Sequence, residues 1–266
     1  MIIHLLSIDI VLGVLGGGAY ASMVLGVTLP MAWWFVVPGA AWCVYTIDRI
    51  LDARRIGTDY PTIRHQFHVR HAAAMVRGVG VIGVATVAVG VGTLPPVAIG
   101  IGLGVACLFG LHHVFQRSTR SPLFSVVKDI NVAVAYGLAI WGVPVYMASE
   151  IDLPMIAAIA AHMSMVVATI VAEARADVDM DTRLGQPNIA RVLTQRGTAV
   201  VHVMFAAILV GAAWMVTAEV LPIVIGWLLL LLVLPRIFAT RWPMPIRRMI
   251  GECTLALPLV VAAIQP

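Results

Sequence analysis

The feature that most limits what this chain can become is where its positive charges fall. Apolar runs alternate with polar joints from end to end. Nine runs are long enough, or nearly so, to span a bilayer: roughly 5–28, 31–51, 73–93, 95–115, 125–147, 153–175, 198–217, 219–235 and 247–265. A crossing needs about 20 such residues, and the eighth run is the shortest. All 17 Lys and Arg residues gather at alternate joints. Arg49, Arg54, Arg55, Arg64, Arg70 and Arg77 lie at or after the second run, and Arg117, Arg120 and Lys128 lie between the fourth and fifth. Arg175, Arg183, Arg191 and Arg196 follow the sixth, and Arg236, Arg241, Arg247 and Arg248 separate the eighth from the ninth. The other joints carry Glu150, Asp152 and Glu219 and no basic residue. A chain of nine transmembrane helices then has every basic residue on one side, which the positive-inside rule makes cytoplasmic. A miscounted span before the last would break this one-sidedness.

Composition points the same way. A chain of 266 residues that is 61% hydrophobic and 11% charged is too apolar for a soluble domain. The expectation is one all-α, polytopic membrane domain over residues 1–266, in a cytoplasmic membrane of the bacterial inner-membrane type. No basic region precedes the first run and no small-residue cleavage site follows it, so a cleaved signal peptide is not expected. Cys43, Cys107 and Cys253 lie in apolar runs without metal-ligand spacing and read as buried thiols. Gly16–Gly18 and Gly100, Gly102 and Gly104 suit close helix packing in lipid. There is no phosphate-binding GxxxxGK[ST] loop and no GxSxG elbow, and basic loops without interleaved aromatics do not argue for nucleic acid.

Against this background two pairs of carboxylates stand out. Asp48 and Asp52 end the second run, and Asp177 and Asp181 end the sixth, each pair four residues apart. On a helix that spacing puts both side chains on one face. Carboxylates at the edge of hydrocarbon are costly, and two matched pairs on the basic side need a reason. The bland one is a solvated helix end paired with a neighbouring arginine, which is worth little. The other is a hard divalent cation. Mg2+ takes one or two carboxylates, keeps water, and completes its shell with substrate phosphate. Loss of diphosphate from an allylic carbon leaves a carbocation, and an apolar bundle shelters it from water while accepting an isoprenoid tail. Asp179, between the second pair, is either a further metal ligand or an exposed carboxylate. The two longer basic-side loops, about 53–72 and 176–197, are placed to cap the aspartates with short helices.

The pattern resembles the UbiA superfamily of intramembrane prenyltransferases, in which aspartate-rich motifs follow the second and sixth of nine helices. The stretch Asp177-Val178-Asp179-Met180-Asp181-Thr182-Arg183-Leu184-Gly185 is close to the family's second motif. Asp48 and Asp52 match the first, although Val44 stands where the family usually has Asn. The resemblance implies a UbiA-like bundle and Mg2+ as cofactor. It also implies a prenyl diphosphate donor and a lipophilic acceptor of aromatic type, met in the membrane at a site on the cytoplasmic side. It makes Asp48, Asp52, Asp177, Asp181 and Asp179 the metal-binding set, the first four also catalytic. Arg64, Arg117, Lys128 and Arg183 become candidates for the diphosphate. Two rivals stay open. One is a related membrane terpene cyclase, which ionises the same substrate without an acceptor. The other is a non-enzymatic membrane protein using the aspartates as cation sites.

Some polar residues have no settled place. His65, His68 and His71 read as an interfacial cap helix rather than a zinc site. His112 and His113 end the fourth run, facing either a cavity or the interface. Asp9, early in the first run, either serves an acceptor or is the buried partner of an arginine or histidine.

Overall fold

In the computed structural model residues 2–56, 63–118, 122–184, 188–193, 195–239, 251 and 253–264 are described, and they form helices joined by short connections. The helices are α1 (Ile2–Leu5), α2 (Ile8–Leu25), α3 (Trp33–Ile56), α4 (Ile63–Arg70), α5 (Ala72–Thr93) and α6 (Pro96–Ser118). They continue with α7 (Pro122–Met147), α8 (Leu153–Leu184), α9 (Gln195–Met215), α10 (Leu221–Ala239) and α11 (Leu257–Ile264). Short 3-10 turns at Ile189–Arg191 and Thr254–Ala256 complete the order, with no strand among the described residues. The first eight apolar runs each coincide with a described helix; within the ninth, 247–265, the described elements are the turn at Thr254–Ala256 and α11. Among the described residues six helices are long and apolar enough to cross a membrane: α2, α5, α6, α7, α8 and α9. α3 is long, but its last turns carry Asp48, Arg49, Asp52 and Arg54. Leu221–Val233 and Thr254–Ile264 are apolar but shorter.

The bundle wraps around α2, which packs on α3, α7, α8 and the C-terminal segment. Its glycines permit this. A β-carbon at Gly16 would collide with the Leu255 carbonyl, and one at Gly18 with the Trp33 ring. Gly100 and Gly102 of α6 behave differently, facing open space with nothing within 4 Å. The expected close packing therefore holds for the first glycine group and fails for most of the second, because α6 turns those positions outward.

α5 divides cleanly between two faces. Gly78 and Gly83 meet Trp42 and Cys43 of α3, while Val81, Val84, Val87 and Val91 are all more than 60% exposed. A soluble surface would not carry such a valine stripe; a lipid-facing one does. A tight aromatic stack joins α2, α7, α8 and α10 away from the aspartate pairs. Tyr20, Trp141, His162 and Trp227 meet at ring-centroid distances of 4.7–5.8 Å and are buried. The Trp141 indole N–H donates to His162 Nδ1 at 3.0 Å.

Candidate functional site

Both aspartate pairs lie on continuous helix. α3 runs through Asp48 and Asp52 to Ile56. α8 does not stop at the expected end of its apolar run but continues for 32 residues to Leu184. At 1.5 Å per residue that is about 48 Å, against a hydrocarbon core of about 30 Å. The excess holds Asp177 and Asp181 on a helical extension at the basic end. Both are half-buried, whereas Asp179 is exposed.

A chain of polar contacts runs from one motif to the other. Asp48 Oδ1 lies 4.0 Å from His113 Nε2 on α6. His112, the next residue, lies within electrostatic range of Asp52 and Lys128, and it hydrogen-bonds to the Lys128 backbone. Lys128 Nζ is 3.5 Å from Asp129 Oδ1 at the start of α7. Asn131 Nδ2 donates to the Leu108 carbonyl at 2.7 Å, which ties α7 to α6. Asp129, only 8% exposed, takes a backbone hydrogen bond from Ile189. Next to it Asn188, 1% exposed, donates from Nδ2 to the Ala174 carbonyl at 2.7 Å and to Asp181 Oδ2 at 2.6 Å. Its Oδ1 accepts from the Ala190 N–H at 2.7 Å, the N-cap bond of the 3-10 turn. α3, α6, α7, the 189–191 turn and α8 thus share one polar end.

Of the residues expected at the site, the structure gives Asp48, Asp52, Lys128 and Asp181 these surroundings; Asp177 lies half-buried one turn before Asp181, and Asp179 is exposed. Arg64 is on α4, Arg117 on α6 and Arg183 on α8, and their side chains lie outside the described residues. Arg175 turns to α9, where Nη1 donates to Thr198 Oγ1 at 3.1 Å. α4 forms a short cap packed on α3, with His68 buried. Asp9 is a histidine's partner: His4 Nδ1 meets its Oδ2 at 2.6 Å, both buried.

Two contributors escaped sequence reasoning. Asn188 went unmarked, though Pro187-Asn188 before an apolar pair is a turn-and-cap signal. For His113 a histidine at a helix end gives no direction; only the packing of α6 on α7 does.

The residues present fit a divalent cation. Asp48 Oδ1 is a buried, hard oxygen donor with no hydrogen-bond partner, as is Asp129 Oδ2. Among the described residues no three His, Cys, Asp or Glu side chains converge on one point. A cation held here would have to draw much of its shell from substrate and water, as Mg2+ commonly does.

The same bundle occurs among solved structures. A UbiA homologue from Archaeoglobus fulgidus, bound to DMAPP and Mg2+, matches over 99% of both chains with a TM-score of 0.63 at 15% identity. The fold is that of a UbiA homologue. A second one, the apo structure from Aeropyrum pernix K1, matches over 95% of both chains with a TM-score of 0.58 at 18% identity. A structure of digeranylgeranylglyceryl phosphate synthase covers 98% of this chain and 93% of its own, with a TM-score of 0.51 at 10% identity. No protein-family model matches the sequence. No curated protein matches it either. The UbiA fold is therefore seen in the arrangement of helices, not in residue-by-residue likeness.

Proposed function

We propose that this chain is a Mg2+-dependent intramembrane prenyltransferase that moves an isoprenoid chain from a prenyl diphosphate to a lipophilic acceptor of aromatic type. The observation that carries the proposal is the polar chain linking Asp48 and Asp52 to Asp181, one turn beyond Asp177 on α8, at the basic end of a UbiA-fold bundle. The UbiA homologue bound to DMAPP and Mg2+ supports it.

In this reaction Asp48, Asp52, Asp177 and Asp181 supply the oxygen donors for metal, with Asp179 at the outer rim. Bound Mg2+ would stabilise the negative charge that builds on the departing diphosphate. Lys128 adds a fixed positive charge from α7, and Arg64, Arg117 and Arg183 are the guanidinium candidates for the phosphate oxygens. The bundle keeps water from the allylic cation until the acceptor's electron pair closes the new bond. With helix α3 and the short apolar segments 221–233 and 254–264 counted as crossings, the one-sided Lys and Arg residues support a site on the cytoplasmic side of a bacterial-type inner membrane.

Purified protein in lipid, given Mg2+ and labelled prenyl diphosphates of several lengths with a lipid extract as acceptor source, releases diphosphate and forms a prenylated product. Asp48→Asn and Asp177→Asn abolish both while the helical circular dichroism persists. Full activity in either variant, or in excess chelator, would refute the assignment. Val44, in place of the usual Asn, favours one alternative, a UbiA-type terpene cyclase. A cyclic hydrocarbon or alcohol formed without acceptor would mark it.

A further inference from the structure

We propose that His113 is a nitrogen ligand of the cation held by Asp48, and that this donor shifts the site's preference from Mg2+ toward Mn2+. The proposal rests on the metal-dependent function above and deepens it.

Asp48 Oδ1, His113 Nδ1 and His113 Nε2 are all buried, and none has a hydrogen-bond partner. The 4.0 Å between Nε2 and Oδ1 is too long for a hydrogen bond. Two buried polar groups face each other and satisfy nothing, which is costly unless a third species lies between them. The side chains are 15% and 23% exposed, so bulk water is not freely available to either. A neutral imidazole nitrogen and a carboxylate oxygen are both electron-pair donors, and a cation satisfies both at once. An anion such as phosphate would meet the carboxylate's charge instead.

The ring is held in place. Phe109 packs edge-on against it at 4.5 Å, and the Asn131–Leu108 bond fixes α6 against α7. His112 faces Asp52 and Lys128, which leaves His113 as the imidazole directed at Asp48. Imidazole binds Mg2+ poorly and suits the transition metals, whose affinities rise from Mn2+ through the series. One nitrogen in an otherwise oxygen shell therefore favours Mn2+ while still permitting Mg2+.

The test uses the full chain in lipid nanodiscs and reads metal binding, not turnover. Mn2+ binding is followed by loss of the free-ion paramagnetic resonance signal, and Mg2+ binding by competition. Wild type binds Mn2+ more tightly than Mg2+. His113→Ala loses about 10-fold or more of its Mn2+ affinity and little of its Mg2+ affinity, whereas Asp48→Asn loses both. Bound Mn2+ in wild type also shows electron–nuclear coupling to an imidazole nitrogen, a readout that needs no variant; His113→Gln removes it. Absence of that coupling overturns the proposal. So does a His113→Ala protein that binds Mn2+ as tightly as wild type or more tightly, which would make His113 a counter-ion of Asp48. In either case loss of binding in Asp48→Asn leaves the metal site itself standing. Unchanged affinity for both cations in Asp48→Asn would overturn the metal-dependent function as well.

Discussion

Asn188 uses every polar atom of its side chain. Both amide protons and the carbonyl oxygen are engaged, and one of the protons goes to Asp181. Orientation of a ligating carboxylate by an outer partner typically matters about 10–100-fold in metal affinity or activity. Asn188→Ala should therefore lower diphosphate release by that order. Asn188→Asp should be worse, because it has the same shape but places a second negative charge beside Asp181 and donates nothing to it. Activity assays on the two variants, with helical content as the control for folding, check this. An Asn188→Asp protein as active as wild type would show that Asp181 needs no positioning from the turn. No pattern in the sequence connects Asn188 to Asp181 as a partner. The contact depends on the chain doubling back over α8, a long-range event that local patterning does not encode.

At the level of elements, α2 and α6 make opposite uses of glycine. Gly16 sits where the backbone of residues 255 and 256 crosses α2, so any side chain forces two main chains apart. Gly16→Ala should lower the unfolding temperature in detergent, at a cost on the order of 1–3 kcal/mol for overpacking. Gly102→Ala, which meets nothing, should be neutral or slightly stabilising, since Ala is the better helix former by about 1 kcal/mol. Equal melting temperatures for the two variants would contradict this account of the packing. From sequence the two glycine groups are indistinguishable, since both are small residues in apolar runs. The helices themselves were easier to read. The apolar runs mark α2, α3 and α5–α10, because each must be long and apolar to lie in lipid. Where α8 ends was harder to see: Asp177–Asp181 ends the hydrophobic signal, but the backbone stays helical beyond it. The polarity of a segment does not tell a loop from a helix that has left the membrane.

For the molecule as a whole, one-sided basic residues and matched aspartate pairs, read through the family resemblance, were enough to anticipate the UbiA fold. Asp9 as the buried partner of a histidine was one of two readings open in the sequence, but the linkage through His112, Lys128 and Asp129 was not legible, because it depends on how neighbouring helices rotate about their axes. The same holds for the aromatic stack, whose members come from α2, α7, α8 and α10. That stack lies far from the site: along α8, His162 is 15 residues from Asp177, about 22 Å. With Tyr20, His162 and Trp227 at 0% exposure, the stack itself is closed to water. The cation-binding recess proposed above would then sit in the membrane without making a leak. A hydrophilic recess that opened on both sides would short-circuit the potential across the bilayer; one closed by stacked rings leaves the insulation intact. Vesicles carrying the protein should hold an imposed potassium gradient as long as empty ones do, as reported by a voltage-sensitive dye. Collapse of the gradient would mean that the rings part, and that the membrane must be energised against the protein it carries.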